Sequence, residues 1–491
     1  GSGFSGIGMA AKLKEAGIDS FVMLERASDV GGVWEANTYP GCACDVQSHL
    51  YSFSFMPNPD WSRTFAPQAE IKQYLRSCAE KFGLLPHLRF GQTMTEARYD
   101  DATATWTVRT QTGDVFRCRV LISAIGGLTI PAYPSVPGIE RFAGRTFHSA
   151  RWDHDYDLSG KRVAVIGTGA SAIQFVPQIA KKVAHLDLFQ RSAPWIMPKG
   201  DRPISALERA AYRYLPFLRQ LYRLAIYCTL ELRVLGFKRP WLMKLVERPA
   251  LRHLKKHVKD PVLRQKLVPS YTIGCKRVLL SNDYLPALTR DNVEVVTDAI
   301  REVTEDSVIT ADGKARKVDA IIYGTGFAVQ NMMPKGLVFG RQGLDMGELW
   351  KDGMAAYKGT CIAGFPNFFL LFGPNTGLGH SSMVYMIESQ IAYVMDALRR
   401  MQSEGWKSVA VKPEAYARYN ARVQDGSGTK NSVWLSGCKS WYLNEHGKNT
   451  TLWPSFTFVF RRITARFDVE AYDVDRAPVP GSLVQNAPAL T

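Results

Sequence analysis

Long apolar runs and internal repeats are both missing from this sequence. No stretch of 18 consecutive apolar residues occurs, which argues against a membrane-spanning helix. No segment recurs at a fixed period, so a solenoid or a propeller is not expected. The first residues, GSGFSG, have neither the basic start nor the apolar core of a secretory signal. From these absences we expect a globular protein of the cytoplasm.

Cysteine is scarce, with eight residues among 491. Their spacing shows neither paired CxxC motifs nor the density of a disulfide-stabilised fold. We therefore expect no metal site, and reduced thiols in a reducing compartment. Cys42 and Cys44 form a CxC pair, which we interpret as packing rather than redox residues because that spacing makes a poor disulfide.

Positive charge is abundant but unevenly distributed. The net charge is +16, and residues 201–270 hold 16 Lys and Arg against 5 Asp and Glu, so this segment alone contributes +11. No nucleic-acid-binding motif accompanies the charge, and aromatic residues do not alternate with the basic ones. We therefore expect no nucleic-acid partner.

Residues 211–237 show the pattern of one basic amphipathic helix. Apolar residues recur there at helical spacing, with arginines between them. Two interpretations remain open. The segment is either a solvated helical insert over an active site, or a peripheral membrane contact through which apolar substrates enter. The apolar residues concerned are Leu215, Leu218, Leu221, Tyr222 and Ile226.

Two glycine-rich motifs predict two nucleotide-binding units. Such glycines permit a tight turn and a close approach of the backbone to a pyrophosphate, which rests at a helix N-terminus. We expect strands at 162–166, 185–189 and 21–24, and helices at 7–16 and 173–180. The first motif contains Gly1, Gly3, Phe4 and Gly6, and the second contains Gly167, Thr168, Gly169, Ala170 and Ser171.

The charge at the end of each second strand indicates which nucleotide each unit binds. Glu25 lies 19 residues after Gly6, where a carboxylate accepts hydrogen bonds from ribose hydroxyls, as in FAD or NAD sites. Arg191 lies 19 residues after Ala172 and is followed by Ser192. A guanidinium there pairs with a 2′-phosphate. The first unit therefore favours FAD and the second favours NADP.

A nucleotide-binding unit needs a strand before its first glycine, and none precedes Gly1 in this sequence. We expect the complete protein to have such a strand. We also expect a protein that starts at Gly1 to hold FAD poorly.

Residues 142–153 read FAGRTFHSARWD. They match the pattern FxGxxxHxxxW(P/D), and the chain here resembles the type I Baeyer–Villiger monooxygenases. Related N- and S-oxidising flavin monooxygenases usually lack the Trp-Asp ending. The resemblance implies that this linker couples domain movement to NADP binding, and we interpret its histidine as a linker residue rather than a proton donor. The matching residues are Phe142, Gly144, His148, Trp152 and Asp153.

Further segments extend the resemblance over nearly the whole chain. They include 31–34, 39–41, 274–277, 319–327, 373–377 and 440–442. Ala43 stands where the family often has arginine, and Glu35-Ala36 replaces a frequent aromatic pair. The cofactor-binding residues that the resemblance implies are Val33, Trp34, Asp45, Tyr51, Gln174, Lys276, Arg277 and Trp441.

The resemblance implies an NADPH- and O2-dependent enzyme that uses FAD to convert small apolar ketones into esters or lactones through a flavin peroxide. Arg277 would stabilise the peroxide and adduct anions, since a guanidinium keeps its charge near neutral pH. Asp45 would orient Arg277. An N- or S-oxidising monooxygenase, or an uncoupled membrane-associated NADPH oxidase or sensor, are the alternatives.

The implied fold is α/β, with two Rossmann-like doubly wound domains. We expect an FAD domain at 1–140 and 320–491, the linker at 141–154, and an NADP domain at 155–319. The NADP domain would include a helical insert at 200–270. The oligomeric state is left open.

Overall fold

The first glycine motif leads directly into a helix in the computed structural model, which describes residues 1–425, 432–438, 440–476 and 484–486. Helix Phe4–Glu15 begins three residues earlier than predicted, because Gly3 already has the extended conformation of an N-cap. The strand expected over 21–24 is shorter, Met23–Leu24, and pairs in parallel with Leu88–Arg89. The motif therefore lies at the N-terminus of a buried helix.

A five-stranded parallel sheet carries the second glycine motif. Two of its strands have the predicted bounds, and the helix that follows the motif, Ala172–Ile179, begins one residue early. The sheet includes one strand from the expected linker and one from beyond residue 319, where the domain was expected to end. In spatial order the strands are Val293–Val296, His185–Phe189, Arg162–Ile166, Ala320–Tyr323 and Arg145–His148.

The remaining described strands form a second five-stranded sheet and several smaller ones. One five-stranded sheet contains Val338–Phe339, Met94–Asp100, Thr105–Thr110, Val115–Cys118 and Val484–Asn486. The paired strands are Leu121–Ser123 with Phe368–Leu370, Ser408–Val411 with Tyr472–Asp475, and Ile196–Met197 with Leu279–Leu280. A three-stranded antiparallel sheet contains Ile300–Val303, Ser307–Thr310 and Ala315–Lys317.

The first helix packs closely against a long helix from the second half of the chain, Met383–Ser403. Gly8 permits this approach, since a Cβ there would lie within 3 Å of the Phe53 and Ile391 side chains. Further α-helices among the described residues outside the insert are Val33–Ala36, Gln68–Lys81, Tyr284–Ala287, Met346–Leu349, Pro413–Asp425 and Thr457–Ile463.

The insert at 200–270 is helical, but the single helix predicted over 211–237 is wrong. The chain breaks at Leu215, because the proline at 216 disfavours helical geometry in the residue before it. It divides again at Leu232. In the described part of the chain, no helix is both long and apolar enough to cross a bilayer. The helices are Ala206–Tyr214, Pro216–Glu231, Arg233–Lys238, Pro240–His257 and Pro261–Lys266.

Two tyrosines of the insert pack against His49, which is buried. The ring of His49 packs edge-on against Tyr212 and Tyr222, at 4.8 and 5.4 Å between ring centres. Burial, followed by the charges of Arg219 and Arg223, lowers the pKa of His49 to about 4. The imidazole is therefore neutral in the folded protein near pH 7.

We predict that His49 makes the fold sensitive to acid. Its pKa is about 6.5 when unfolded, so the unfolded state binds the proton more readily between about pH 6.5 and pH 4. Stability is then fully present above that window and falls as the pH drops through it. In urea unfolding, His49→Phe should lessen this loss by on the order of 3 kcal/mol. His446→Phe, at an exposed site, should not. Equal acid sensitivity in both variants would contradict this account.

Candidate active site

A cavity of about 950 Å³ lies where the two nucleotide-binding parts of the chain meet. The second glycine motif forms part of its wall. Of the predicted site residues, those that line it are Val33, Trp34, Asp45, Tyr51, Gly167, Thr168, Gly169, Ala170, Ser171, Gln174, Arg191, Ser192, Lys276, Arg277 and Trp441. The other predicted residues, which are Glu25 and those of the first motif and the linker, lie outside this lining.

The first motif forms a tight turn in which Gly1 and Gly6 leave no room for a side chain. A Cβ on Gly6 would lie 1.8 Å from the carbonyl oxygen of Gly1, and one on Gly1 would lie 2.5 Å from that of Ala124, whereas one on Gly3 would make only ordinary contact with Gly32. Phe4 turns into the core, with its ring 5.0 Å from that of Tyr51. The surface of this turn is therefore formed by backbone, and its role in binding FAD stays a prediction.

Glu25 is buried and already bonded to the turn. Its carboxylate accepts hydrogen bonds from the backbone N–H and hydroxyl of Ser2, at 2.7 and 2.8 Å, and from the N–H of Ala27 at 2.8 Å. Burial alone would raise the pKa of Glu25, but the hydrogen bonds from Ala27 and Ser2 lower it. The carboxylate is therefore ionised beside the motif, as a ribose acceptor requires.

Two glycines of the second motif, Gly167 and Gly169, differ in the space that surrounds them. Gly167 has φ +107°, and a Cβ there would lie 2.4 Å from the carbonyl oxygen of Gly324. A Cβ on Gly169 would meet only that same oxygen, at 3.7 Å. Gly167 is thus required by the fold, whereas Gly169 leaves open space at the start of helix Ala172–Ile179.

Gln174 joins this helix to the loop that follows the first unit. Its Oε1 accepts hydrogen bonds from the Tyr39 hydroxyl at 3.0 Å and the Ala43 N–H at 3.3 Å, and its Nε2 donates to the Ala43 carbonyl at 2.9 Å. Gly41 passes so close that a Cβ would lie 2.8 Å from the Gln174 carbonyl oxygen. Gln174 therefore connects the two units rather than projecting freely into the cavity.

Arg191 and Lys276 place two positive charges on one part of the cavity wall. The Nζ of Lys276 donates to the Ser192 hydroxyl at 2.9 Å. Burial, and then the charge of Arg191, lower the pKa of Lys276. Within the described residues, neither cation has a carboxylate at salt-bridge distance. Two uncompensated cations beside a hydroxyl form a fitting site for a phosphate.

Arg277 and Asp45 form an ion pair at the cavity. The Nε and Nη2 atoms of Arg277 lie 2.7 and 2.6 Å from Oδ2 of Asp45. The charge of Asp45 raises the pKa of Arg277 further above its usual value, so the guanidinium is permanently charged. Its Nη1 points towards the carbonyl of Leu378, 3.5 Å away. The pairing expected from the sequence is thus present in the structure, although its catalytic role stays a prediction.

Aromatic side chains cover two further parts of the cavity wall. Trp34 donates from Nε1 to the Tyr51 hydroxyl at 3.2 Å. Trp441 remains partly exposed, and its carbonyl accepts hydrogen bonds from Gln330 at 3.2 Å and Thr451 at 3.4 Å. These contacts hold the segment with Trp441 beside the cavity.

The linker residues support the sheet from outside the cavity. His148 is fully buried, and its Nδ1 accepts from the Ala150 N–H at 3.1 Å. Burial lowers the pKa of His148. Asp153 pairs with Arg145 at 2.6 Å. The ring of Trp152 packs on Phe147 and Phe175, the ring of Phe142 packs on the core of the sheet, and Gly144 passes too close to Asp319 for a Cβ.

A disulfide joins Cys275 to Cys438, so the expectation of eight reduced thiols is wrong for this pair. The two residues are 163 positions apart, and no spacing pattern in the sequence could reveal the bond. Cys275 directly precedes Lys276 and Arg277. The bond therefore ties their segment to the one that carries Trp441. Cys42 and Cys44 are free.

Comparison with known proteins decides the family. The flavin-binding monooxygenase-like family matches residues 1–335. The chain belongs to this family. A Baeyer–Villiger monooxygenase of Pseudomonas aeruginosa is 52% identical over 98% of this chain and 91% of its own length. One from Streptomyces coelicolor is 49% identical over 98% and 93%.

Solved structures agree with this assignment. A steroid monooxygenase bound to NADP has a TM-score of 0.86 and 31% identity, covering 97% of this chain and 98% of that one. OTEMO in complex with FAD and NADP has a TM-score of 0.86 and 28% identity, covering 96% and 98%. The predicted α/β class with two Rossmann-type domains is confirmed. The chain is a flavin-dependent monooxygenase of the Baeyer–Villiger type with FAD and NADPH as cofactors and a ketone and O2 as substrates.

We predict that substitution of Gly167 lowers the stability of the fold, whereas substitution of Gly169 weakens NADP binding. Gly167→Ala forces a Cβ into backbone at positive φ and should destabilise the fold by roughly 1–3 kcal/mol. Gly169→Ala should leave stability within about 0.5 kcal/mol and weaken NADP binding, because its Cβ enters the space beside the cavity. Chemical unfolding and NADP titration measure the two effects. Equal destabilisation by both variants would contradict the assignment.

Proposed function

We propose that this enzyme inserts one oxygen atom of O2 next to the carbonyl of an apolar ketone, giving an ester or a lactone. The Arg277–Asp45 ion pair at the cavity carries the proposal. Apolar side chains of Leu128, Met354 and Met383 line the same cavity, so its wall suits a substrate with little polarity apart from one carbonyl.

Arg277 is the proposed catalytic residue. FAD, once reduced by NADPH, supplies the activated oxygen. The guanidinium then stabilises negative charge that develops as oxygen is transferred to the substrate, and it does so without exchanging a proton. Asp45 holds two nitrogens of that guanidinium, which leaves Nη1 as the part of the group that is turned away from Asp45.

Arg191, Lys276 and Ser192 are the proposed site for the 2′-phosphate of NADPH. The two cations lack carboxylate partners in the described chain, so a phosphate would bind without displacing an existing ion pair. Glu25 and the turn at Gly1, Gly3 and Gly6 are the proposed site for the nucleotide half of FAD. The ionised carboxylate beside this turn suits ribose hydroxyls and opposes a second phosphate.

We predict that Arg191 sets the preference for NADPH over NADH. Arg191→Ala should raise KM for NADPH roughly 10- to 100-fold, since it removes a charge-assisted hydrogen bond. KM for NADH, which has no 2′-phosphate, should change less than about twofold. Arg290→Ala, in a surface turn, is the control. Steady-state oxidation of both nucleotides measures the effect, and equal losses for the two nucleotides would overturn the assignment.

Labelled oxygen tests the proposed reaction directly. The holoenzyme with NADPH and 18O2 is given linear, cyclic and steroid-like ketones, a thioether and a tertiary amine, and product masses are measured. An ester with one labelled oxygen is the expected result. Label only in a sulfoxide or N-oxide would support the heteroatom-oxidising alternative instead. NADPH consumption that yields only labelled H2O2 with every compound would support the oxidase alternative.

The same assay tests Arg277. Arg277→Ala should still allow NADPH to reduce FAD, followed by the flavin absorbance, but should lower labelled ester to background. Peroxide should then account for the NADPH consumed. Ester yield that survives in this variant would contradict the catalytic role, even if the wild-type enzyme forms esters.

A peripheral membrane contact through residues 201–270 is a separate proposal. It concerns the outer surface of the insert, and it does not depend on which ketone the enzyme uses.

A further inference from the structure

Helix Pro216–Glu231 has apolar side chains on two sides: Ile226 and Leu230 are buried against the core, whereas a second group faces outwards. Leu221 and Leu224 lie on one helical face with the residues one turn before and one turn after them. The large apolar members of this face are between 54 and 64% exposed. The exposed positions between them are occupied by Gln220, Ala225 and Thr229, which are uncharged. We call this surface the outward face; it consists of Phe217, Leu221, Leu224, Cys228 and Leu232.

The charged residues of the same helix point inwards. Arg223 donates to the carbonyls of His49 at 2.6 Å and Ser52 at 3.0 Å. Glu231 is buried and accepts from the N–H and hydroxyl of Thr457, both at 2.8 Å. A helix on an ordinary protein surface has charged or polar side chains on its outer side. Here the buried apolar residues and these polar contacts already attach the helix on its inner side, so the exposed apolar side chains are not needed to hold it in place.

The next long helix, Pro240–His257, adds a basic rim. Trp241 and Leu245 are exposed by half or more, one turn apart. Farther along this helix and just beyond its end, exposed positions are occupied by Arg248, Arg252, Lys255, Lys256 and Lys259. In the part of the chain that the structure describes, none of these five cations has an acidic group at salt-bridge distance.

The insert thus combines exposed apolar side chains with unpaired cations, and this combination is complementary to a bilayer that contains anionic lipid. Leucine and tryptophan side chains bury in the boundary between headgroups and acyl chains, while Lys and Arg contact lipid phosphates. A second copy of the chain is a poorer fit, because two segments with a net charge of +11 each would face one another. We propose that the outward face and the basic rim bind the surface of an anionic membrane, so that the enzyme lies on the bilayer without crossing it.

Vesicle flotation with the holoenzyme tests this proposal. The protein should float with phosphatidylcholine vesicles that contain phosphatidylglycerol, and much less with phosphatidylcholine alone. High salt should weaken binding, because it screens the cationic rim. The double variant Leu221→Glu and Leu224→Glu should reduce the bound fraction roughly tenfold or more. A charge-matched control, Leu85→Glu and Leu349→Glu, changes exposed leucines elsewhere and should bind as the wild type does.

Cys228 supplies a second measurement on the outward face itself. Among the described residues, Cys228 is the exposed free cysteine, because the other free cysteines are buried or partly buried. An environment-sensitive dye on Cys228 should shift to shorter wavelength when anionic vesicles are added. Flotation that is equal for the variant and its control would overturn the proposal. So would a dye that is already shifted without vesicles, or a dimer in sedimentation that the Leu221 and Leu224 changes dissociate, because another protein surface would then cover the face.

Discussion

The ion pair between Arg277 and Asp45 is the constraint on which the arrangement of the cavity depends. Asp45 lies in the chain after the first glycine motif, and Arg277 lies after the second. The pair brings Nη2 of Arg277 to 2.6 Å from Oδ2 of Asp45. A permanently charged guanidinium is costly at a site lined largely by apolar groups unless it is paired. Asp45 offsets that cost and aims the group at the same time.

Other contacts between the same two parts reinforce this geometry. Gln174 binds both backbone groups of Ala43, at the position where the family often has an arginine side chain. The disulfide between Cys275 and Cys438 ties the segment of Arg277 to that of Trp441. The insert is anchored separately, by buried Ile226 and Leu230 and by the hydrogen bonds of Arg223 and Glu231, while other apolar residues of the same helix face outwards. Cofactor binding and the proposed membrane contact thus use different surfaces of one chain.

Local patterns predicted much of this fold. Strand Arg162–Ile166 has the expected bounds because a continuous apolar run is typical of a buried parallel strand. Strand His185–Phe189 also has the expected bounds, although the buried Asp187 interrupts its apolar residues. The pairing of Arg277 with Asp45 also follows from the resemblance. The sequence could not predict the Cys275–Cys438 bond, since only the folded chain brings the two residues together. The prediction of one helix over 211–237 is wrong because the apolar residues keep their helical spacing across Pro216, whereas the backbone leaves the helical conformation at Leu215.

The central claim is that Arg277 and Asp45 act as a unit, and a double-mutant cycle on ester formation tests it most directly. The cycle compares Asp45→Asn, Arg277→Lys and the double variant, with flavin reduction measured in parallel. If Asp45 works by holding the guanidinium, the double variant should lose no more ester-forming rate than the worse single variant. Losses that multiply in the double variant would mean that the two residues act independently, and would contradict the account.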